Sequence, residues 1–147
     1  ASIAMSYGYV YVAQVSMGAD KNQTLKALAE AEAYPGPSLV ICYAPCINHG
    51  LKIKGGMSKV QDEEKRAVDA GYWNMFRFNP LAEKKFTLDS KAPTMDYQEF
   101  LDGEVRYLSL KLKNPERAEK LYKEAAEHAK EHLAYLNKLV TLYGDQE

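Results

Sequence analysis

The sequence predicts an α/β domain of parallel strands with flanking helices, followed by a C-terminal helical hairpin. Two observations carry this. Between Tyr9 and Ala44 a strand-like run, a helix-like run and a second strand-like run follow one another with short joints. That is the pattern of a βαβ unit with a right-handed crossover. From Asp96 onward apolar residues recur at three and four, with no further strand signal. Residues 1–95 are therefore assigned to the α/β part and 96–147 to the hairpin.

Composition sets the outer limits. A chain of 147 residues that is 46% hydrophobic and 27% charged is long and apolar enough for one packed core. Its formal net charge of −1 leaves no global field to draw it to nucleic acid or to an anionic membrane. Two cysteines make no disulfide framework, and no secretory signal is evident. A reducing cytoplasm is the expected compartment. No apolar run approaches the roughly 20 residues of a membrane helix.

In chain order, Ala1 to Gly8 reads as the last turns of a helix with Gly8 as its cap, a start expected inside a domain. Tyr9–Val15, dense in aromatic and β-branched residues, is a predicted buried strand. Asp20 is a predicted N-cap with Gln23 three residues on. The following helix spans Thr24–Tyr34, with Leu25, Leu28 and Ala29 on its apolar face, and Pro35-Gly36-Pro37 stops it. Leu39–Ala44 is a short continuous apolar run, as expected for a strand covered on both faces.

Ser58 is the expected cap of a helix reaching Gly71, with Asp62, Glu63, Glu64, Lys65 and Arg66 on its outer side. Tyr72–Phe78 is a third predicted strand, and Leu81–Thr94 a surface link with a short strand at Phe86–Leu88. In the hairpin, Asp96 caps a helix running through Leu112. Asn114-Pro115 opens a second from Glu116 to about Tyr143, and Gly144 ends it.

Cys46 is the leading residue for chemistry. It lies just past a strand end, after Pro45, which has no N–H for sheet pairing, and Gly50 permits a tight exit. In open α/β sheets the carboxyl ends of strands are where ligands bind. Lys52 and Lys54 are nearby in sequence and favour a thiolate. Against this stands the tendency of free cysteine simply to pack. Cys42, inside the apolar run, is read as packing. The Cys-x-x-x-Cys spacing is weak as a metal motif, because no second pair completes four ligands. His49 follows Cys46 by three, but nucleophile pairs are spatial arrangements that spacing alone does not define. His128 and His132, at i and i+4 in His-Ala-Lys-Glu-His, are read as a solvated face. No phosphate loop, dinucleotide fingerprint or nucleophile elbow occurs.

Longer strings carry a resemblance. They are Tyr7-Gly8-Tyr9-Val10-Tyr11-Val12-Ala13-Gln14-Val15-Ser16-Met17-Gly18, Tyr34-Pro35-Gly36-Pro37-Ser38-Leu39-Val40-Ile41 and Cys46-Ile47-Asn48-His49-Gly50. Gly71-Tyr72-Trp73, Phe76-Arg77, Asn79-Pro80 and Leu88-Asp89-Ser90-Lys91-Ala92-Pro93 extend them. Through these the chain resembles the pyruvate:ferredoxin (flavodoxin) oxidoreductases, in the C-terminal part of their last thiamine-diphosphate-binding domain.

The resemblance implies a parent enzyme that is a large cytoplasmic homodimer. It would decarboxylate pyruvate oxidatively on thiamine diphosphate with Mg2+, pass electrons through [4Fe-4S] clusters to ferredoxin or flavodoxin, and give the acetyl group to coenzyme A. The family's Gly-Asp-Gly and Ser-Asn-Thr-Gly-Gly strings, which grip the diphosphate and magnesium, do not occur here and are expected upstream of Ala1 in the parent. One functional residue carries over. The cysteine before the Ile-Asn string, Cys46 here, corresponds to the family's fourth ligand to the cluster nearest the thiamine. Backbone N–H groups of Ile47 and Asn48 are expected to tune it. The isolated chain is expected to hold no cofactor and to be inactive. The alternative is a stand-alone binding module, docking a partner through the aromatic face of the hairpin while Cys46 only packs.

Overall fold

The computed structural model describes residues 1–144. Helix α1 (Ser2–Ser6) leads into strand β1 (Tyr11–Val15), helix α2 (Lys21–Ala33) and strand β2 (Ser38–Cys42). A 3₁₀ turn at Gly56–Lys59 opens α3 (Val60–Asp69), and β3 (Phe76–Phe78) and β4 (Phe86–Leu88) follow. Helices α4 (Tyr97–Gly103), α5 (Val105–Lys113) and α6 (Pro115–Leu142) complete the chain. The sheet order is β2-β1-β3-β4. β1 and β2 are parallel, as the βαβ reading requires. β3 runs antiparallel to β1, and β4 antiparallel to β3, so the four-stranded sheet is mixed.

Local signals place most element ends. Asp20 Oδ1 accepts from the Gln23 N–H (2.9 Å) and Asp96 Oδ1 from the Glu99 N–H (3.0 Å). Asn114 Oδ1 accepts from the Arg117 N–H (3.2 Å), with Pro115 in the first helical position. Gly71 stands just past α3 with φ +72°, a conformation that costs glycine little. Ser58, in contrast, donates its hydroxyl to Gly55 O and caps nothing.

Each sheet face has its own core. Val12, Phe76, Phe78 and Phe86 pack on one face with Met5 of α1 and Leu136 and Leu139 of α6. Each fully buried phenylalanine contributes about 1.5–3 kcal/mol. On the other face Tyr11, Ala13 and Val15 pack against Ala27 of α2. A third cluster joins Ala67 and Ala70 of α3 to Phe100, Leu101, Ala118 and Tyr122. The long α6 thus reaches from the third cluster at its start to the sheet near its end.

Several expectations need correction. β2 is an edge strand, with Leu39 40% exposed and Cys42 exposed, so neither the two-sided cover nor the packing role read for Cys42 holds within this chain. α2 buries Gln23, Thr24 and Ala27, and leaves Leu25 and Leu28 exposed. Glu63 and Glu64 face inward rather than outward. The helix expected through Leu112 breaks at Glu104, whose extended backbone separates α4 from α5.

The break from apolar logic on the α2 side centres on Arg77. Alternation in β3 sends Phe76 and Phe78 to one core and Arg77 to the other face. Its guanidinium grips Asp89 with Nε to Oδ2 (2.9 Å) and Nη2 to Oδ1 (2.8 Å). Nη1 reaches Glu30 Oε1 of α2 at 2.6 Å. Tyr11 donates its hydroxyl to Glu30 Oε2 (2.9 Å), and Gln23 Nε2 donates to Asp89 Oδ2 (2.9 Å). Burial and the Glu30 bond push the Tyr11 phenol well above its usual range, so it stays a donor.

Arg77→Ala leaves two carboxylates unpaired in this half-dry layer and is expected to cost about 3 kcal/mol, the low end for a broken buried pair. Leu28→Ser on the exposed side of α2 should cost under about 0.5 kcal/mol. Urea unfolding followed by the fluorescence of Trp73 measures both. Equal losses for the two variants would contradict this assignment of the core.

Candidate functional site

Parallel pairing brings the carboxyl ends of β1 and β2 together. The Tyr43 N–H donates to Val15 O (3.0 Å), which carries the pairing one residue past β2. Pro45 then turns the chain away and is itself buried. Cys46 follows, half-buried, and the Gly50 N–H donates to Cys46 O (3.1 Å) to close the turn. The far end of the loop is fixed by a β-bridge between Leu51 and Glu104 and by the Lys52 N–H donating to Gly103 O (3.0 Å). The α4–α5 break therefore serves the loop, because only an extended residue at Glu104 can form that bridge.

The thiol is held in a setting that favours its charged form. Cys46 Sγ lies 3.1 Å from His49 Nδ1. The His49 side chain, then the backbone N–H groups of His49 and Asn48, bring the thiol down to about 7. These are the groups that do what Lys52 and Lys54 were expected to do. Asn48 and His49, rather than Ile47 and Asn48, supply the amides. His49 is exposed, and among the described residues no carboxylate bonds its ring, so the pair lacks the orienting acid of a cysteine hydrolase.

Behind the loop the wall is aromatic and acidic. Tyr43 packs on Trp73 with ring centroids 5.5 Å apart, and Trp73 Nε1–H donates to Val15 O (3.1 Å). Tyr43 points its hydroxyl at Glu104 Oε1 (3.5 Å), whose other oxygen lies 3.4 Å from Arg106 Nε. Glu63 of α3 is likewise fully buried, with Arg66 Nε at 3.1 Å. Burial pushes both carboxyls up, and the arginines only partly offset it. Gly18, in the turn after β1, lies hard against α3. Its N–H donates to Glu64 Oε2 (2.7 Å), and a Cβ there would sit 2.2 Å from Gln61 O, so only glycine fits.

The sequence therefore located Cys46 and His49, and the structure brings them together. It leaves His128 and His132 on an exposed face of α6, away from this loop in sequence and fold. Glu104, Glu63 and Arg77 were missed as structural anchors. Gly103 was the available signal for the break at Glu104. A groove of about 1010 Å³ runs between α6 and the Pro93–Gln98 segment and includes neither Cys46 nor His49. Among the described residues no group of three or more His, Cys, Asp or Glu side chains is placed to hold a metal ion.

In the 147-residue chain Cys46 should alkylate with a half-maximal rate near pH 7, the value of about 7 set by its neighbours. The thiolate is the nucleophile, so the rate rises as pH climbs through that point. His49→Ala should move the midpoint toward the ordinary thiol value of about 8.5. Iodoacetamide labelling read by mass spectrometry tests this, and an unchanged midpoint in the variant would contradict the assigned role of His49.

Comparison with known proteins gives the context. No family model matches the chain. It is 58% identical over 143 residues to a pyruvate-flavodoxin oxidoreductase of Enterobacter agglomerans, covering 95% of this chain and 12% of that protein. A pyruvate-flavodoxin oxidoreductase of Klebsiella pneumoniae is 55% identical over 93% of the chain, again 12% of its own length. A pyruvate:ferredoxin oxidoreductase of Moorella thermoacetica is 54% identical over 93% of the chain and 12% of its length. With such identity across nearly all of its residues, the chain belongs to the pyruvate-flavodoxin and pyruvate:ferredoxin oxidoreductase family, matching a segment about one eighth as long as those relatives.

Proposed function

We propose that this chain is the C-terminal part of the last thiamine-diphosphate-binding domain of a cytoplasmic, homodimeric enzyme. That enzyme oxidatively decarboxylates pyruvate to acetyl-coenzyme A and CO2, and passes the electrons through [4Fe-4S] clusters to ferredoxin or flavodoxin. The identity of 58% to a pyruvate-flavodoxin oxidoreductase carries this reading. The chain's own contribution is scaffold plus one cluster ligand, Cys46. No helix among the described residues is long and apolar enough to cross a membrane.

The residues present fit one corner of a cluster. Cluster ligation requires a thiolate, and Cys46 sits where His49 and two amides favour one. The N–H groups of Asn48 and His49, which favour the thiolate, are the ones we assign to hydrogen-bond a ligating sulfur, a contact that tunes a cluster's potential. A [4Fe-4S] cluster supplies one-electron transfer when bound. The remaining ligands, and the groups that hold thiamine diphosphate, Mg2+, pyruvate and coenzyme A, are assigned to the rest of the longer polypeptide. By itself the chain is expected to turn over no pyruvate.

The binding-module alternative draws less support. The aromatic face of the hairpin is spent internally: Phe100 is fully buried, and Tyr72 packs on it at 4.7 Å between centroids. Tyr122 packs edge-on against Tyr107.

The test is iron and labile sulfide in the full-length enzyme after anaerobic reconstitution. Cys46→Ser should lose about four irons per chain, one cluster's worth, while Cys42→Ser keeps its full content. Unchanged iron in the Cys46 variant would reduce Cys46 to packing and this chain to scaffold.

A further inference from the structure

We propose that Glu104 and Glu63 form a buried proton store behind the Cys46 turn, which takes up one proton from solvent when an electron reaches the cluster held there. The inference rests on the reading of Cys46 as a cluster ligand. Glu104 is the extended residue between α4 and α5 whose backbone bridges Leu51 and so anchors the far end of the Cys46 loop. Its side chain is fully buried, as is that of Glu63 on α3. The two carboxyls are neighbours. A Cβ on Gly103, the residue before Glu104, would sit 3.1 Å from Glu63 Oε1, so the glycine admits the second carboxyl to the same pocket.

Neither carboxyl is compensated as a buried charge needs to be. Arg66 places only Nε beside Glu63, at 3.1 Å, and Arg106 only Nε beside Glu104, at 3.4 Å. Their terminal nitrogens are engaged elsewhere: Arg66 Nη2 donates to Glu99 O, and Arg106 Nη2 to the Tyr72 hydroxyl. Among the described residues both Glu63 oxygens and Glu104 Oε2 have no hydrogen-bond partner. Tyr43 reaches Glu104 Oε1 only at 3.5 Å. A buried carboxylate so poorly matched resolves the cost by binding a proton, and the charge of Glu104 adds to the pressure on Glu63. Burial holds the Tyr43 phenol above its usual range, so it does not compete for this role. The other titratable group facing the pair is His49, which lies 3.1 Å from Cys46 Sγ and acts electrostatically on Glu104. Negative charge added at that sulfur is therefore felt at Glu104. Protons enter beside Arg66 and Arg106, whose side chains are 31% and 30% exposed. The electron comes from oxidation of the 2-oxo acid in the proposed reaction, or from dithionite in the test below. The proton returns to solvent when the electron leaves.

The experiment is a potentiometric titration of the full-length enzyme with dithionite across the neutral pH range, read by electron paramagnetic resonance. The signal lost in Cys46→Ser identifies the cluster concerned. Proton uptake favours reduction, so in the native enzyme its midpoint should fall as pH rises. The slope should approach about 59 mV per pH unit, the value of a tenfold change in a one-electron equilibrium. Glu104→Gln, which keeps shape and polarity, should flatten that slope at unchanged iron content. Infrared difference spectra of the native enzyme, reduced minus oxidised, should gain the stretch of a protonated carboxyl that shifts in deuterated water. A pH-independent midpoint, or no such stretch, would overturn the proposal and leave ligation by Cys46 standing. A slope kept in both Glu104→Gln and Glu63→Gln would assign the proton to His49 and overturn it too. Every cluster signal retained in Cys46→Ser would instead overturn the ligand reading, and this inference with it.

Discussion

The Arg77 guanidinium is the tie on which this architecture depends. One arginine on β3 holds Asp89 beyond β4 and Glu30 on α2, across the central strand β1. Without it the α2 side and the Asp89 side of the sheet share backbone pairing, the aromatic layer beneath and the single Gln23–Asp89 hydrogen bond. The bidentate grip matters because a single-point cation cannot satisfy both carboxylates in fixed geometry. The network also explains why α2 packs with a polar face: Gln23 and Glu30 point at the sheet because they answer Arg77 and Asp89. The leucines of α2 are turned outward as a consequence.

That fixed sheet sets the position of the Cys46 turn. β1 brings Val15 to the carboxyl edge, where it accepts both from the Tyr43 backbone and from the Trp73 indole. The loop is then tethered at its far end by Glu104, in the one extended residue between two helices. Burying the carboxyls of Glu104 and Glu63 beside their arginines is costly. Both stand where α3 and the α4–α5 junction back the loop, so the expense is concentrated at the element that presents the thiol. The thiol needs no distant charge, since His49 and two backbone amides of its own turn suffice to lower it.

What could be read from the sequence follows from range. Asp20, Asp96 and Asn114 were legible as caps because a cap bonds an amide three residues away. The strand–helix–strand order and the turn at Cys46 were legible because prolines and glycines punctuate them locally. The cover of β2 was misread because a continuous apolar run says that a strand is built to be buried, not which chain buries it. Leu25 and Leu28 were misassigned because periodicity cannot anticipate that Arg77, 47 positions beyond Glu30, will recruit the polar side of the helix. Glu63 and Glu64 look like an ordinary acidic first turn until α4 and the turn at Gly18 close over them. The ligand role proposed for Cys46 comes from family resemblance alone, since a single cysteine has no ligand pattern of its own.

We propose that this scaffold presents Cys46 as a cluster ligand. Iron anomalous diffraction from crystals of the full-length protein, prepared anaerobically, tests it most directly. The expected result is iron bonded to Cys46 Sγ in the turn after β2, with the Asn48 and His49 amides facing that sulfur. A Cys46 sulfur with no iron neighbour in a protein whose clusters are fully loaded would contradict it.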